Sequence, residues 1–154
     1  MPEIERAAAA LFASSDEQVE DLEPGEAGWF DAAARKGLLF VAVDADDHPV
    51  AFALFERFPE SRHLEEIDVH PDVGRQGLGR RLIEAAAAWA REAGERRITL
   101  TTFRHVAWNA PYYARLGFRE LPPEVWPSAI RQRVAREADD GLDPERRVVM
   151  QLEL

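Results

Sequence analysis

The apolar positions of this chain change period several times, and each change marks an element. Leu38–Val43 and Val50–Arg57 are short runs rich in Val, Phe, Leu and Ala on either side of the polar DADDH, which predicts an antiparallel hairpin. Arg62–Val69, RHLEEIDV, alternates and extends that meander. The period then becomes helical: over Gly77–Ala93, Leu78, Leu82, Ile83, Ala86, Trp89, Ala90 and Ala93 fall on one face, the other face is charged, and Gly94 stops the helix. Arg97–Thr102 reads as the next strand and Ala110–Leu116 as a short helix, with Asn109 at its N-cap and Pro111 in its first turn. Phe118–Leu121 begins a further strand and Arg146–Glu153 closes the sheet. The connection between these two is longer than a hairpin needs and holds a helix over Pro127–Asp139. Ahead of the strands stand two helices, Glu3–Ala13 and Ala27–Lys36, the second with Gly37 as its C′ residue. The pattern is that of an α/β chain whose first three strands form an antiparallel meander. Its 154 residues suit one domain that buries roughly two-thirds of its unfolded surface.

Composition narrows the partners. A formal net charge of −10 argues against nucleic acid, whose recognition rests on basic patches, and weakly favours cationic ligands. The absence of cysteine removes thiolate nucleophiles and thiolate metal sites, and His48, His63, His70 and His105 are too dispersed to spell a metal motif. No apolar stretch approaches the ~18 residues of a membrane span, and the N-terminus lacks the basic start and apolar core of a signal peptide, so the expected location is the cytoplasm. Lys36 is the single lysine, leaving one target for self-acetylation.

Against that acidic background, GRQGLGRR, Gly74 to Arg81, carries three arginines and no acid. A strand that ends in a glycine turn opening a helix presents unpaired backbone N–H groups at the positive end of the helix dipole, which is a phosphate cradle. It is not an ATP or GTP loop, since Arg80 and Arg81 stand where Lys and Ser or Thr are needed, nor a dinucleotide fingerprint, since Leu82 replaces the third glycine. The Gly77, Leu78, Gly79 turn after Ile67–Asp68–Val69–His70–Pro71 resembles the acyl-CoA signature of the GCN5-related N-acetyltransferases. A second stretch, TTFRHVAWNAPYYARLGF, is similar to the other wall of that family's cofactor cleft through Asn109, Tyr113, Gly117 and Phe118. The two stretches span the central third of the chain. One departure is Gly74, where the family has Gln or Arg, with Arg75 one place late.

The resemblance implies a mixed, mostly antiparallel sheet flanked by helices and splayed between Arg62–Val69 and Arg97–Thr102 to admit the pantetheine arm. It also implies acetyl-CoA as acyl donor, contacted by Ile67, Asp68 and Val69, by Arg75, Gln76, Gly77, Leu78, Gly79 and Arg80, and by Asn109 and Tyr113. Acetyl transfer to an amine poses two proton problems: the ammonium, near ~10, must be deprotonated, and the leaving thiolate, near ~8.5 by analogy with cysteine, must be protonated or stabilised. By resemblance Tyr113 is the acid. His63 and Glu65 match positions that hold histidines in the aralkylamine branch, and strand alternation puts them on one face with Ile67 and Val69, as a relay for the amine's proton or as solvated strand residues. Trp29, Phe30, Trp108 and Trp126 fall where the family builds its acceptor cleft, and Glu23, Glu26 and Asp31 add acidity near the second helix. The expected activity is direct transfer from acetyl-CoA to a small-molecule primary amine by a monomer or homodimer, without metal, nucleic acid or membrane. A protein N-terminal or lysine acetyltransferase and a non-catalytic acyl-CoA sensor are the alternatives. Members of this family usually begin with a strand before the first helix, so the first edge strand is expected to be missing or supplied by a partner.

Overall fold

A computed structural model describes residues 1–10 and 27–154. The elements run α1 (Pro2–Ala9), α2 (Ala27–Arg35), β1 (Leu39–Val43), β2 (Pro49–Arg57), β3 (Arg62–Val69), α3 (Leu78–Glu92), β4 (Arg97–Phe103), α4 (Ala110–Arg115), β5 (Arg119–Glu120), α5 (Ser128–Asp139) and β6 (Arg147–Glu153). Residues 11–13 of the first expected helix lie outside the described residues. Six strands form one sheet in the order β1-β2-β3-β4-β6-β5, antiparallel at β1/β2, β4/β6 and β5/β6 and parallel at β3/β4. The mixed, mostly antiparallel sheet flanked by helices is the expected class. Among the described residues, β1 is the first strand and stands at a sheet edge.

The chain divides into two compact units: unit 1, Met1–Phe55 with Glu65–Ala88, and unit 2, Glu56–Leu64 with Trp89–Leu154. In unit 1, β2 buries five consecutive residues, Ala51–Phe55, which requires cover on both faces. Phe30 of α2 meets Phe52 edge-on at 5.3 Å. The β1–β2 turn is built by Asp44, whose Oδ1 accepts the N–H groups of Asp46 and His48, both at 2.9 Å. That turn brings ligand atoms of Asp44, Asp46 and His48 within 4.8 Å of one another, a grouping the dispersed histidines did not announce.

Unit 2 is organised on the β4/β6 ladder, which runs the full length of both strands from Arg97↔Glu153 to Phe103↔Arg147. The parallel β3/β4 register covers three pairs, Arg62↔Ile98, His63↔Thr99 and Leu64↔Leu100. At the end of α3, Gly94 takes φ +78, its N–H reaches Arg91 O at 3.0 Å and Glu95 N–H reaches Ala90 O at 2.9 Å, a Schellman close. The close delivers Glu95 to the buried guanidinium of Arg62, 2.9 Å away, which lies 4.6 Å from the centre of the Trp89 ring. The long connection before β6 packs Trp126 and Ile130 onto Phe58, Leu121 and Val149. Buried Glu137 anchors α5 by accepting from Thr101, from Arg133 at 3.1 Å and from Arg147 at 3.1 and 3.2 Å. β5 is shorter than the Phe118–Leu121 run suggested: Arg119 and Glu120 are in register with β6, Leu121 N–H still reaches Val149 O at 2.9 Å, and Phe118 and Leu121 are core residues.

Candidate active site

In unit 1 the candidate phosphate turn is a property of the backbone. β3 ends at Val69; His70 caps a short 3₁₀ turn, Pro71–Val73, its Nδ1 accepting Asp72 N–H at 3.3 Å. Gly74 follows at φ −59, Arg75 at +62 and Gly77 at +76, with Gln76 between them outside the left-handed region. The sign of φ changes along this stretch, which leads into the first turn of α3, whose first bond is Arg81 N–H to Gly77 O at 3.0 Å; a glycine turn that opens a helix is backbone of the kind that can bind an anion. Two glycines have reasons. A Cβ at Gly74 would stand 3.1 Å from Pro71 O, and Gly77 has the positive φ that side chains resist. Arg75 adopts that conformation without being glycine, a cost that non-glycine residues carry mainly at functional sites and tight turns. Arg75, Gln76 and Gly77 are exposed, Leu78 and Gly79 half-buried, and the exposed Arg80 pairs with Glu84 at 2.7 Å.

The strand leading into this turn has two different faces. Glu65, Ile67 and Val69 are half-buried on one. On the other, Glu66 bonds side chain to side chain with both Asp68 and Glu5 of α1. Two carboxyls can share a hydrogen bond only if one holds a proton; burial, then the charges of Asp68 and Glu5, push Glu66 up to about 10, and burial raises Asp68 to about 6.

In unit 2 the groups are side chains held by packing. Tyr113 of α4 is 6% exposed, between Tyr112 at 5.5 Å and Phe118 at 5.6 Å. Asn109 precedes α4 and its carbonyl accepts Tyr112 N–H at 2.8 Å and Tyr113 N–H at 3.0 Å. Its side chain makes no capping bond, which corrects the expected capping role, and its Nδ2 is buried without a partner. A buried amide donor lacking an acceptor fits a ligand carbonyl. His63 is wholly buried, stacked on Phe58 at 4.6 Å, with Nδ1 3.0 Å from Thr99 Oγ1, which lies 3.0 Å from Ser61 Oγ. Burial first, then Arg133, Arg147 and Arg136, lower its pKa to about 3, so it is neutral at physiological pH. The alternative of a solvated strand residue is therefore corrected.

The four aromatics separate. Trp29 and Trp108 are exposed, by 41% and 43%. Phe30 is a core residue, and Trp126 is half-buried and tied into unit 2 by its Nε1–H to Leu121 O at 2.7 Å. Asp31 is exposed on α2, while Glu23 and Glu26 lie outside the described residues. Sequence reasoning missed the Glu5–Glu66–Asp68 cluster; its visible signal was the i, i+2 spacing of Glu66 and Asp68, which puts both on one strand face. It also missed the left-handed Arg75, for which the sequence carries no signal.

The acetyltransferase (GNAT) family model matches residues 4–118, well over half of the chain. The chain therefore belongs to the GNAT family of acyl-CoA-dependent acetyltransferases. Its fold is similar to N-acetylglutamate synthase from Neisseria gonorrhoeae, solved with coenzyme A and N-acetyl-glutamate: TM-score 0.72 at 15% identity over 100% of this chain, which spans 32% of that one. A Mycobacterium tuberculosis protein in complex with CoA gives TM-score 0.65 at 18% identity over 100% and 96% of the two chains. The ribosomal-protein-S18-alanine N-acetyltransferase of Escherichia coli gives 0.61 at 24% identity over 91% of each. Among the described residues no helix is long and apolar enough to cross a membrane.

Proposed function

We propose that residues 1–154 act as one acyltransferase domain that moves an acetyl group from acetyl-CoA directly to a small-molecule primary amine. The observation that carries the proposal is the sign-alternating turn Gly74–Gly77 at the start of α3, with arginines in an otherwise acidic unit. Amides of Arg75 to Arg80 hold the pyrophosphate; Asn109 Nδ2 donates to a carbonyl of the pantetheine arm, which satisfies its buried N–H. As the amine attacks the thioester carbonyl and the carbon–sulfur bond breaks, the Tyr113 hydroxyl protonates the departing sulfur, and a main-chain N–H near Val69 stabilises the oxyanion. Glu65 takes the amine's proton by way of water, and neutral His63 holds the start of the strand through Thr99. The exposed rings of Trp29 and Trp108 and the acidity of unit 1 support an organic cation as acceptor. The activity is tested by titrating coenzyme A calorimetrically and screening small amines and peptides with acetyl-CoA for thiol release. Turnover with small amines supports the proposal; turnover with peptides alone moves the acceptor to protein, and CoA binding without turnover on any acceptor turns the case to an acyl-CoA sensor.

A further inference from the structure

In unit 2, Asn109 and Tyr113 sit on an excursion built of short elements. It leaves the sheet after Phe103, forms the six-residue α4, too short to be stable in isolation, and returns as the two-residue edge strand β5. What spans it is an ion pair between its first and last residues: Arg104 Nη1 donates to Glu120 Oε2 and Nη2 to Oε1, both at 3.0 Å. This is a parallel two-bond fork, which a guanidinium makes with a carboxylate and an ammonium does not, and it constrains orientation as well as distance. At the same point Arg104 N–H donates to Arg146 O at 2.8 Å, and Glu120 pairs with Met150 of β6, so both halves of the fork are referenced to the β6 side of the frame.

We infer that Arg104 and Glu120 are positioning residues, their fork fixing the excursion that presents Asn109 and Tyr113. The inference rests on the proposed acetyl transfer only for what the two presented residues do; the fork itself is a statement about the free protein. A half-exposed ion pair adds little to global stability, so its loss is felt locally, in the orientation of α4.

The test is a set of variants: Arg104→Ala, Glu120→Ala, the charge swap R104E/E120R, and Arg104→Lys, which keeps the charge and loses the fork. Without cofactor, amide exchange at Tyr112, Tyr113, Gly117 and Phe118 is expected to speed about tenfold in both alanine variants and in Arg104→Lys. The charge swap is expected to restore it to within about threefold, while the melting temperature of every variant stays within about 3 °C of wild type. In the active enzyme the alanine variants are expected to raise KM for acetyl-CoA about fivefold and to lower kcat by a similar factor, leaving KM for the amine nearly unchanged. Unchanged exchange in Arg104→Ala, or full protection in Arg104→Lys, overturns the inference whatever the activity. A wild type that neither binds CoA nor transfers acetyl overturns the proposed function and leaves the exchange experiment to decide the fork.

Discussion

The two units carry their candidate functional groups on different parts of the polypeptide. Unit 1 contributes main chain: alternating φ from Gly74 to Gly77, exposed side chains, and a composition in which acids outnumber bases almost three to one. Unit 2 is nearly balanced in charge and contributes side chains, Tyr113 and Asn109, kept in place by rings, a fork and packing. The difference teaches what each half tolerates. A backbone site survives most side-chain changes that keep φ, whereas a packed side-chain site can keep its packing and still fail when a single reacting atom is lost.

Tyr113→Phe puts that contrast to its hardest test. It keeps the ring against Tyr112 and Phe118 and deletes the hydroxyl, so kcat is expected to fall about a hundredfold while CoA affinity holds. Steady-state kinetics with calorimetry checks it; near wild-type turnover would mean that the thiolate leaves unassisted and that unit 2 contributes packing alone.

Gly77→Val is the counterpart in unit 1. A β-branched residue at φ +76 is strained although no atom lies within 4 Å of its Cβ, so the loss comes through backbone conformation and not through a clash. CoA is expected to bind about tenfold more weakly, ~1.4 kcal/mol, whereas Arg75→Gly, which relieves the left-handed strain, keeps the turn and loses a single charge. Equal affinity in a folded Gly77→Val protein would remove the pyrophosphate from this turn.

How much of this was legible in sequence follows the same division. Period and punctuation placed β1 to β4, α3 and α5 to within a residue or two, because each has an apolar face against a core and a Gly, Pro or polar run at its end. The turn was legible because glycine spacing records backbone demands directly. Side-chain surroundings were not. Alternation puts His63 on a face with Glu65 but does not say that Phe58 and Thr99 enclose it; Trp126 and Phe30 look like cleft aromatics until their partners are seen. Nor does a strand reveal that a helix from the chain's start will bring Glu5 to Glu66.

The smallest expected effect uses buried titratable groups to set the units against each other. In unit 1, Glu66 and Asp68 are raised to about 10 and about 6, so the unfolded chain releases its protons first; their contribution to stability is complete below about pH 4 and is lost as pH climbs toward 10. In unit 2, His63 is lowered to about 3, so its contribution is complete above the ordinary histidine value of about 6.5 and is lost as pH falls toward 3. Acid therefore loosens unit 2 and alkali loosens unit 1, with the optimum between. Glu66→Gln keeps hydrogen bonds to Asp68 and Glu5 without a titrating proton, and between pH 6 and 9 it is expected to gain about 3 °C in melting temperature relative to wild type, roughly 1 kcal/mol. His63→Gln is expected to flatten the acid limb and leave the alkaline one alone. Melting curves across pH, with hydrogen exchange assigning each loss to α1 and β3 or to β4 and β6, check both halves. A Glu66→Gln protein whose alkaline limb matches wild type would show that the carboxyl cluster is solvated in solution, and the electrostatic contrast between the units would then reduce to net charge.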